Sequence, residues 1–226
     1  MDKNFDVFSD AFLGEAMDNE DKRYRDMISA NVVPLETATV NDCVQFGKII
    51  WKVIGIENGN KLLLSRDCMG TDFDWEFGQD DDDTIDNNTS LADILSDEES
   101  VDYAKEAGEI RKYFREWFCE KYFSQEELKR IVPHCIKIKS SSNDIAQTLN
   151  ESVFLLSKAE VEKYIQAKED RIASMHVMFN DIVRDWLLRL DDEPEEYQMV
   201  VNTEGDFEKV DIGFICSWFR PAIWVK

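Results

Sequence analysis

Charge in this chain is concentrated in two stretches, and that limits what those stretches can fold into. The net charge is −22, from 48 acids and 26 bases. Residues 71–102 hold 13 acids and no Lys or Arg, and residues 190–208 hold eight acids, again without a base. Elsewhere 27 acids face 26 bases. Like charges at that density repel and resist compaction, so both stretches read as solvated acidic loop insertions on a near-neutral body. The body is expected as a single α+β domain over residues 39–226, since 43% hydrophobic and 12% aromatic residues suffice for a packed core. Residues 1–38 read as an N-terminal helical appendage. Ser9 can cap a helix with Phe5, Phe8, Phe12 and Ala16 on one side, and Pro34 breaks the chain after it.

The same composition narrows the function classes. Phosphate neutralisation needs a basic surface, so direct binding to DNA or RNA is disfavoured. No apolar run approaches the roughly 18 residues of a membrane span. The start, Met1-Asp2-Lys3-Asn4-Phe5, lacks the basic and then apolar segments of a signal peptide. Five cysteines without regular spacing do not make a disulfide framework. The expectation is a cytoplasmic protein with free thiols and no membrane contact.

Local patterns fill in the body. Lys48–Ile56 and Lys61–Ser65 read as strands joined at Asn58-Gly59, a dipeptide that supplies the positive φ angles of a tight hairpin turn. The spacing of Tyr103, Ala107, Ile110, Phe114, Trp117, Phe118 and Tyr122 predicts a long central helix over 101–122 with a wide apolar stripe. Ser124 with Glu127, and Ser157 with Glu160, are capping boxes that open two further helices. Val153–Leu156 reads as a buried strand, and short strands follow at 185–190, 198–202, 207–210 and 222–225. Strands, then helices, then strands give an α+β class. Trp51, Phe114, Trp117, Phe154, Leu155, Trp186 and Trp224 each sit on an apolar face, and one shared core is expected for all seven.

Residue types for chemistry are sparse. His134 and Cys135 are adjacent, and neighbours in a strand point to opposite faces, so they do not form a zinc pair. Asp82-x-Thr84-x-Asp86 resembles the start of a calcium loop, but Asn87 stands where the glycine belongs and Asp93 where the closing Glu belongs. Neither a nucleophile–base set nor a Gly-rich phosphate cradle occurs. No catalytic residue, metal or cofactor is assigned. The candidate partner-binding residues are Phe73, Trp75 and Phe77, together with Asp80, Asp81, Asp82 and Asp83. Carboxylates steer a basic partner and aromatics hold the contact. Two alternatives stand beside this: the acids serve solvation alone, and the aromatics fold back to cap the core.

The order of motifs resembles an uncharacterised bacterial and phage domain family. The matching segments are Trp51-Lys52-Val53 through Gly59 to Leu62–Ser65, Ile110–Phe118, Phe123–Glu127, Val153–Ser157 with Glu160-Val161, Asp185–Leu190, and Ser217–Trp224. They cover residues 40–226. Departures fall at Asp185, Leu190 and Trp218, where the family has Trp, Ser and Gly. The closing pattern is similar to formylglycine-generating enzymes and to C-type-lectin-like variable proteins. The resemblance implies a C-type-lectin-like mixed fold in which Arg189 and Arg220 tie strands together. The enzyme branch uses a pair of cysteines near its C-terminus; here Cys216 stands without a partner, so the activity is not carried over. The expected function is a non-catalytic interaction module that presents acidic and aromatic loops to another protein with a basic surface. The alternative is an acidic inhibitor or immunity-type protein, including a nucleic-acid mimic, that blocks a basic site.

Overall fold

A computed structural model describes residues 31–70, 112–140, 143–177, 180–189, 197–211 and 218–226. The chain enters with Val32 bridged to Cys43 and then forms β1 (Cys43–Phe46), β2 (Ile49–Glu57), β3 (Asn60–Ser65) and β4 (Met69–Gly70). Asn58 and Gly59 take φ angles of 51° and 80°, the tight hairpin turn expected between β2 and β3. Gly55 sits at a bulge in β2 against the Tyr164 ring, where a Cβ would approach that ring to 2.8 Å.

A π-helical turn (Phe114–Phe118) leads into α1 (Cys119–Tyr122), and α2 (Gln125–Leu128) follows. Next come β5 (Ile131–Val132), β6 (His134–Ser140), β7 (Asn143–Glu151), β8 (Phe154–Leu155) and α3 (Lys158–Tyr164). After a 3-10 turn (Glu169–Arg171) the chain is strands: β9 (Ala173–Val177), β10 (Asn180–Arg184), β11 (Trp186–Leu187), β12 (Tyr197–Val201), β13 (Phe207–Asp211), β14 (Trp218–Phe219) and β15 (Pro221–Val225). Sheet dominates an α+β chain.

One sheet runs β1-β2-β3-β15-β5, with β8 also paired to β15. A second runs β13-β12-β11-β14-β4, and β6–β7 and β9–β10 are separate two-stranded ribbons. The pairings are antiparallel except β11 with β14. Alternation along the strands splits the core in two. Leu63, Ile223 and Val225 join a cluster with Trp51, Phe114, Phe118 and Phe219. Their neighbours Leu62, Leu64, Ala222 and Trp224 join the other, with Phe154, Leu156 and Trp186. Successive side chains point to opposite faces, so β3 and β15 are covered on both sides. That explains why they read as continuous apolar runs.

Four expectations change. The seven residues divide between the two clusters: Trp51, Phe114 and Leu155 lie in one, and Phe154, Trp186 and Trp224 in the other. Trp117 lies in neither and is 50% exposed. In an α-helix it would stand within about 60° of Phe114. The wider π turn carries it round toward solvent while Phe118 remains buried over Phe114, ring centroids 5.5 Å apart. Leu35 and Ala38 pack in the first cluster, so the body begins before residue 39. Residues 197–208 belong to the β12–β13 hairpin, with Met199, Val200 and Val201 buried, which bears out the strands expected at 198–202 and 207–210 and takes that part of the second acidic stretch out of the expected solvated loop. The expected long helix is described only from residue 112, and residues 1–30 of the expected appendage lie outside the described residues.

Candidate functional site

Phe73, Trp75, Phe77, Asp80, Asp81, Asp82 and Asp83 all lie outside the described residues. What the structure does place is the two ends of the segment that holds them. Met69, in the strand before it, pairs with Phe219. Tyr113, after it, packs edge-on against the same Phe219 ring at 6.1 Å. The described residues on either side of 71–111 therefore meet at Phe219, beside the edge strand β4. Trp117 is exposed one helical turn beyond the re-entry.

The two arginines bind main chain. Arg189 donates from Nη1 to the Leu155 carbonyl at 2.7 Å and from Nη2 to Glu160 Oε2 at 3.1 Å. Glu160 also meets His134 Nε2 at 2.8 Å and accepts from the Ser157 N–H at 2.8 Å, which closes the capping box of α3. Burial pushes the Glu160 carboxyl up. The hydrogen bond from His134, the Arg189 charge and the Ser157 N–H outweigh it and hold the group below the usual carboxylate range. This cluster joins β6, β8, α3 and the strand end at Arg189.

Arg220 is different. It is 3% exposed, with its guanidinium 5.1 Å from the Trp186 ring centroid. Nε donates to the Ser65 carbonyl at 2.9 Å and Nη2 to the Arg66 carbonyl at 3.3 Å, which ties β15 to the end of β3. Nη1 is buried and has no hydrogen-bond partner among the described residues. Burial pulls the pKa down to about 10, against the opposing pull of Cys68 and Asp67, so the group is still charged at neutral pH.

Arg220 also lines a cavity of about 270 Å³ between β2, β3 and the C-terminal end of α3. Ile54, Leu64 and Ile165 supply its buried apolar wall. Lys52 and Lys163 stand at its rim, each already paired: Lys52 with Asp170 at 2.9 Å, Lys163 with Glu57 at 2.7 Å. Sequence reading did not assemble this cavity, because its walls come from segments far apart in the chain. The signal present was Lys52, a cation in a strand whose neighbours Trp51 and Val53 are fully buried. Among the described residues no group of three or more His, Cys, Asp or Glu is placed to hold a metal ion. Cys43, Cys68, Cys119 and Cys135 form no disulfide among the described residues, and Cys216 lies outside them.

The family model for a domain of unknown function, DUF6273, matches residues 58–226. The chain belongs to the DUF6273 family. No curated protein and no solved structure matches it. The matched DUF6273 span opens at the Asn58-Gly59 turn, takes in the first acidic stretch and contains Arg189 and Arg220. Strands β1 and β2 precede that span, yet they complete its first sheet and one wall of its cavity. No helix among the described residues is long and apolar enough to cross a membrane.

Proposed function

We propose that this DUF6273 protein is a non-catalytic protein-binding module of the cytoplasm. A C-type-lectin-like α+β scaffold presents the acidic and aromatic residues of 71–102 to a partner protein with a basic surface. The carrying observation is that Met69 and Tyr113, which lie on either side of residues 71–111, both meet Phe219. An insertion that leaves and returns at one point of a rigid body can vary without disturbing the core, as binding loops do. The exposed Trp117 beside the re-entry supplies an aromatic of the kind that anchors interfaces. The strand-tying bonds of Arg189 and Arg220 support the lectin-like reading, since the family resemblance gives those residues that role.

A second reading rests on one further observation, the absence of any Lys or Arg among 13 acids in residues 71–102. A surface of that kind also suits an inhibitor or immunity-type protein, or a nucleic-acid mimic, that occupies a basic site.

The test is crosslinking and mass spectrometry with the full chain as bait, in parallel with Trp75→Ala, Trp117→Ala and a variant with Asp80–Asp83 changed to Asn. The module reading expects faster dissociation for the Trp variants, at a cost of about 2 kcal/mol, and slower association for the Asn variant. A mimic instead loses partner binding steeply with salt and tolerates loss of the aromatics. Capture that is indifferent to all three variants would sink both readings.

A further inference from the structure

Asparagine is a thermolabile residue, and its lability depends on the residue that follows it. The atom that attacks the side-chain amide is the next main-chain nitrogen, so a following glycine clears the approach. Asn58 is the one asparagine in this chain followed by glycine. It lies in the two-residue turn between β2 and β3, with φ angles of 51° at Asn58 and 80° at Gly59. Both residues are exposed. Neither the Gly59 N–H nor the Asn58 side chain makes a hydrogen bond among the described residues. Nothing stands within 4 Å of the place a Gly59 Cβ would take, so the attacking nitrogen is unshielded. Other asparagines are guarded. Asn202 Oδ1 accepts from the Glu204 and Asp206 N–H groups, each at 3.0 Å, and Nδ2 donates to Glu208 at 3.0 Å. At Asn41 the next N–H, that of Asp42, donates to the Thr39 carbonyl at 3.1 Å.

We infer that Asn58-Gly59 is a site of spontaneous deamidation and isomerisation, and that its isoaspartate product unties the β2–β3 hairpin from α3. The Gly59 nitrogen bonds to Asn58 Cγ, the Cγ–Nδ2 bond breaks, and ammonia leaves with the proton that Gly59 gives up. Water then opens the succinimide. Opening at Cγ gives aspartate, and opening at the main-chain carbonyl leaves the chain running through Cγ as isoaspartate. The sum is one water consumed and one ammonia released, with no redox change. Aspartate fits the turn, since Asp-Gly is as suitable there as Asn-Gly. Isoaspartate does not, because it adds a carbon to the main chain of a turn whose length sets the Glu57↔Asn60 register. Glu57 is the residue that moves first. Its Oε1 accepts from Lys163 Nζ and from Tyr164 Oη, each at 2.7 Å, and these two bonds join the hairpin end to α3. The site is separate from residues 71–102 and rests on no reading of them.

The experiment ages the full chain in warm, mildly alkaline buffer and maps its peptides by mass spectrometry over time. Asn58 should lose its amide about tenfold faster than any other asparagine, a modest difference in barrier, and should give both aspartate and isoaspartate. The Asn58→Gly variant keeps a pair suited to the turn and should age without change at this site. The isoaspartate fraction, separated by chromatography, should unfold at a lower temperature than Asn58→Asp, which carries the charge without the added carbon. It should also lose amide-exchange protection in residues 158–164. Another asparagine reacting first, or an Asn58 that keeps its amide while others lose theirs, overturns the site. An isoaspartate fraction that matches Asn58→Asp in unfolding temperature and in exchange overturns the untying.

Discussion

Two short helices open on the same motif, and the structure uses them differently. Ser124 caps α2 and Ser157 caps α3, each with its hydroxyl accepting from the N–H three residues on and the Glu there reaching back to the cap N–H. In α2 the Glu127 carboxylate also accepts from the Gly47 N–H at 3.0 Å, which pins the β1–β2 turn. In α3 the Glu160 carboxylate is largely buried and holds His134 and Arg189. The local motif is one device. What differs is the company of the glutamate, a main-chain amide in one case and two cationic or titratable side chains in the other. A capping box therefore specifies a helix start, and burial decides whether its glutamate also becomes a junction of the fold.

The largest expected effect tests that junction. Glu160→Ala leaves Arg189 partly buried without its carboxylate and should cost about 3 kcal/mol in urea unfolding, well beyond the loss of a cap. A cost near 1 kcal/mol would make the two helices equivalent after all. Acid should separate them next. The folded-state pKa of Glu160 is lowered, so its stabilisation is present above the unfolded carboxylate value of about 4.3 and is lost as pH falls through the folded value. Glu160→Gln should therefore flatten the decline of the urea midpoint between about pH 5 and pH 2 more than Glu127→Gln does. A shallower decline in the Glu127 variant than in the Glu160 variant reverses the ranking. The hydroxyls, by contrast, should behave alike: Ser124→Ala and Ser157→Ala should each cost about 1 kcal/mol. Smallest is Glu127→Ala, at less than about 1 kcal/mol by the same measurement, since its partners lie near solvent and water can replace it.

The capping boxes, the Asn58-Gly59 turn and the runs in β3, β8 and β15 were legible because each is written within a few neighbouring residues. The ribbons β6–β7 and β9–β10 were not read. Their sequences, such as Asn143–Glu151, mix polar with apolar residues and carry no continuous apolar run. Trp117 was placed in the core because its spacing fits an α-helix; the π turn that moves it outward leaves no mark in the apolar pattern. Arg189 and Arg220 were read as strand ties, and each donates to a main-chain carbonyl. The cavity was invisible, since Lys52, Ile165 and Arg220 meet only after β15 is laid beside β3.

That last placement has a consequence for how the protein is made. Strand β15 is the partner of β3, β5 and β8, and Arg220 reaches a carbonyl 155 residues earlier in the chain. Until residues 221–225 have left the ribosome, the far edge of β3 has no neighbour, and Leu62, Leu63 and Leu64 have nothing to pack on from that side. Contacts of such long sequence separation form slowly. During synthesis the leucine-rich edge of β3 is thus the surface most in need of shielding, by a chaperone or by speed.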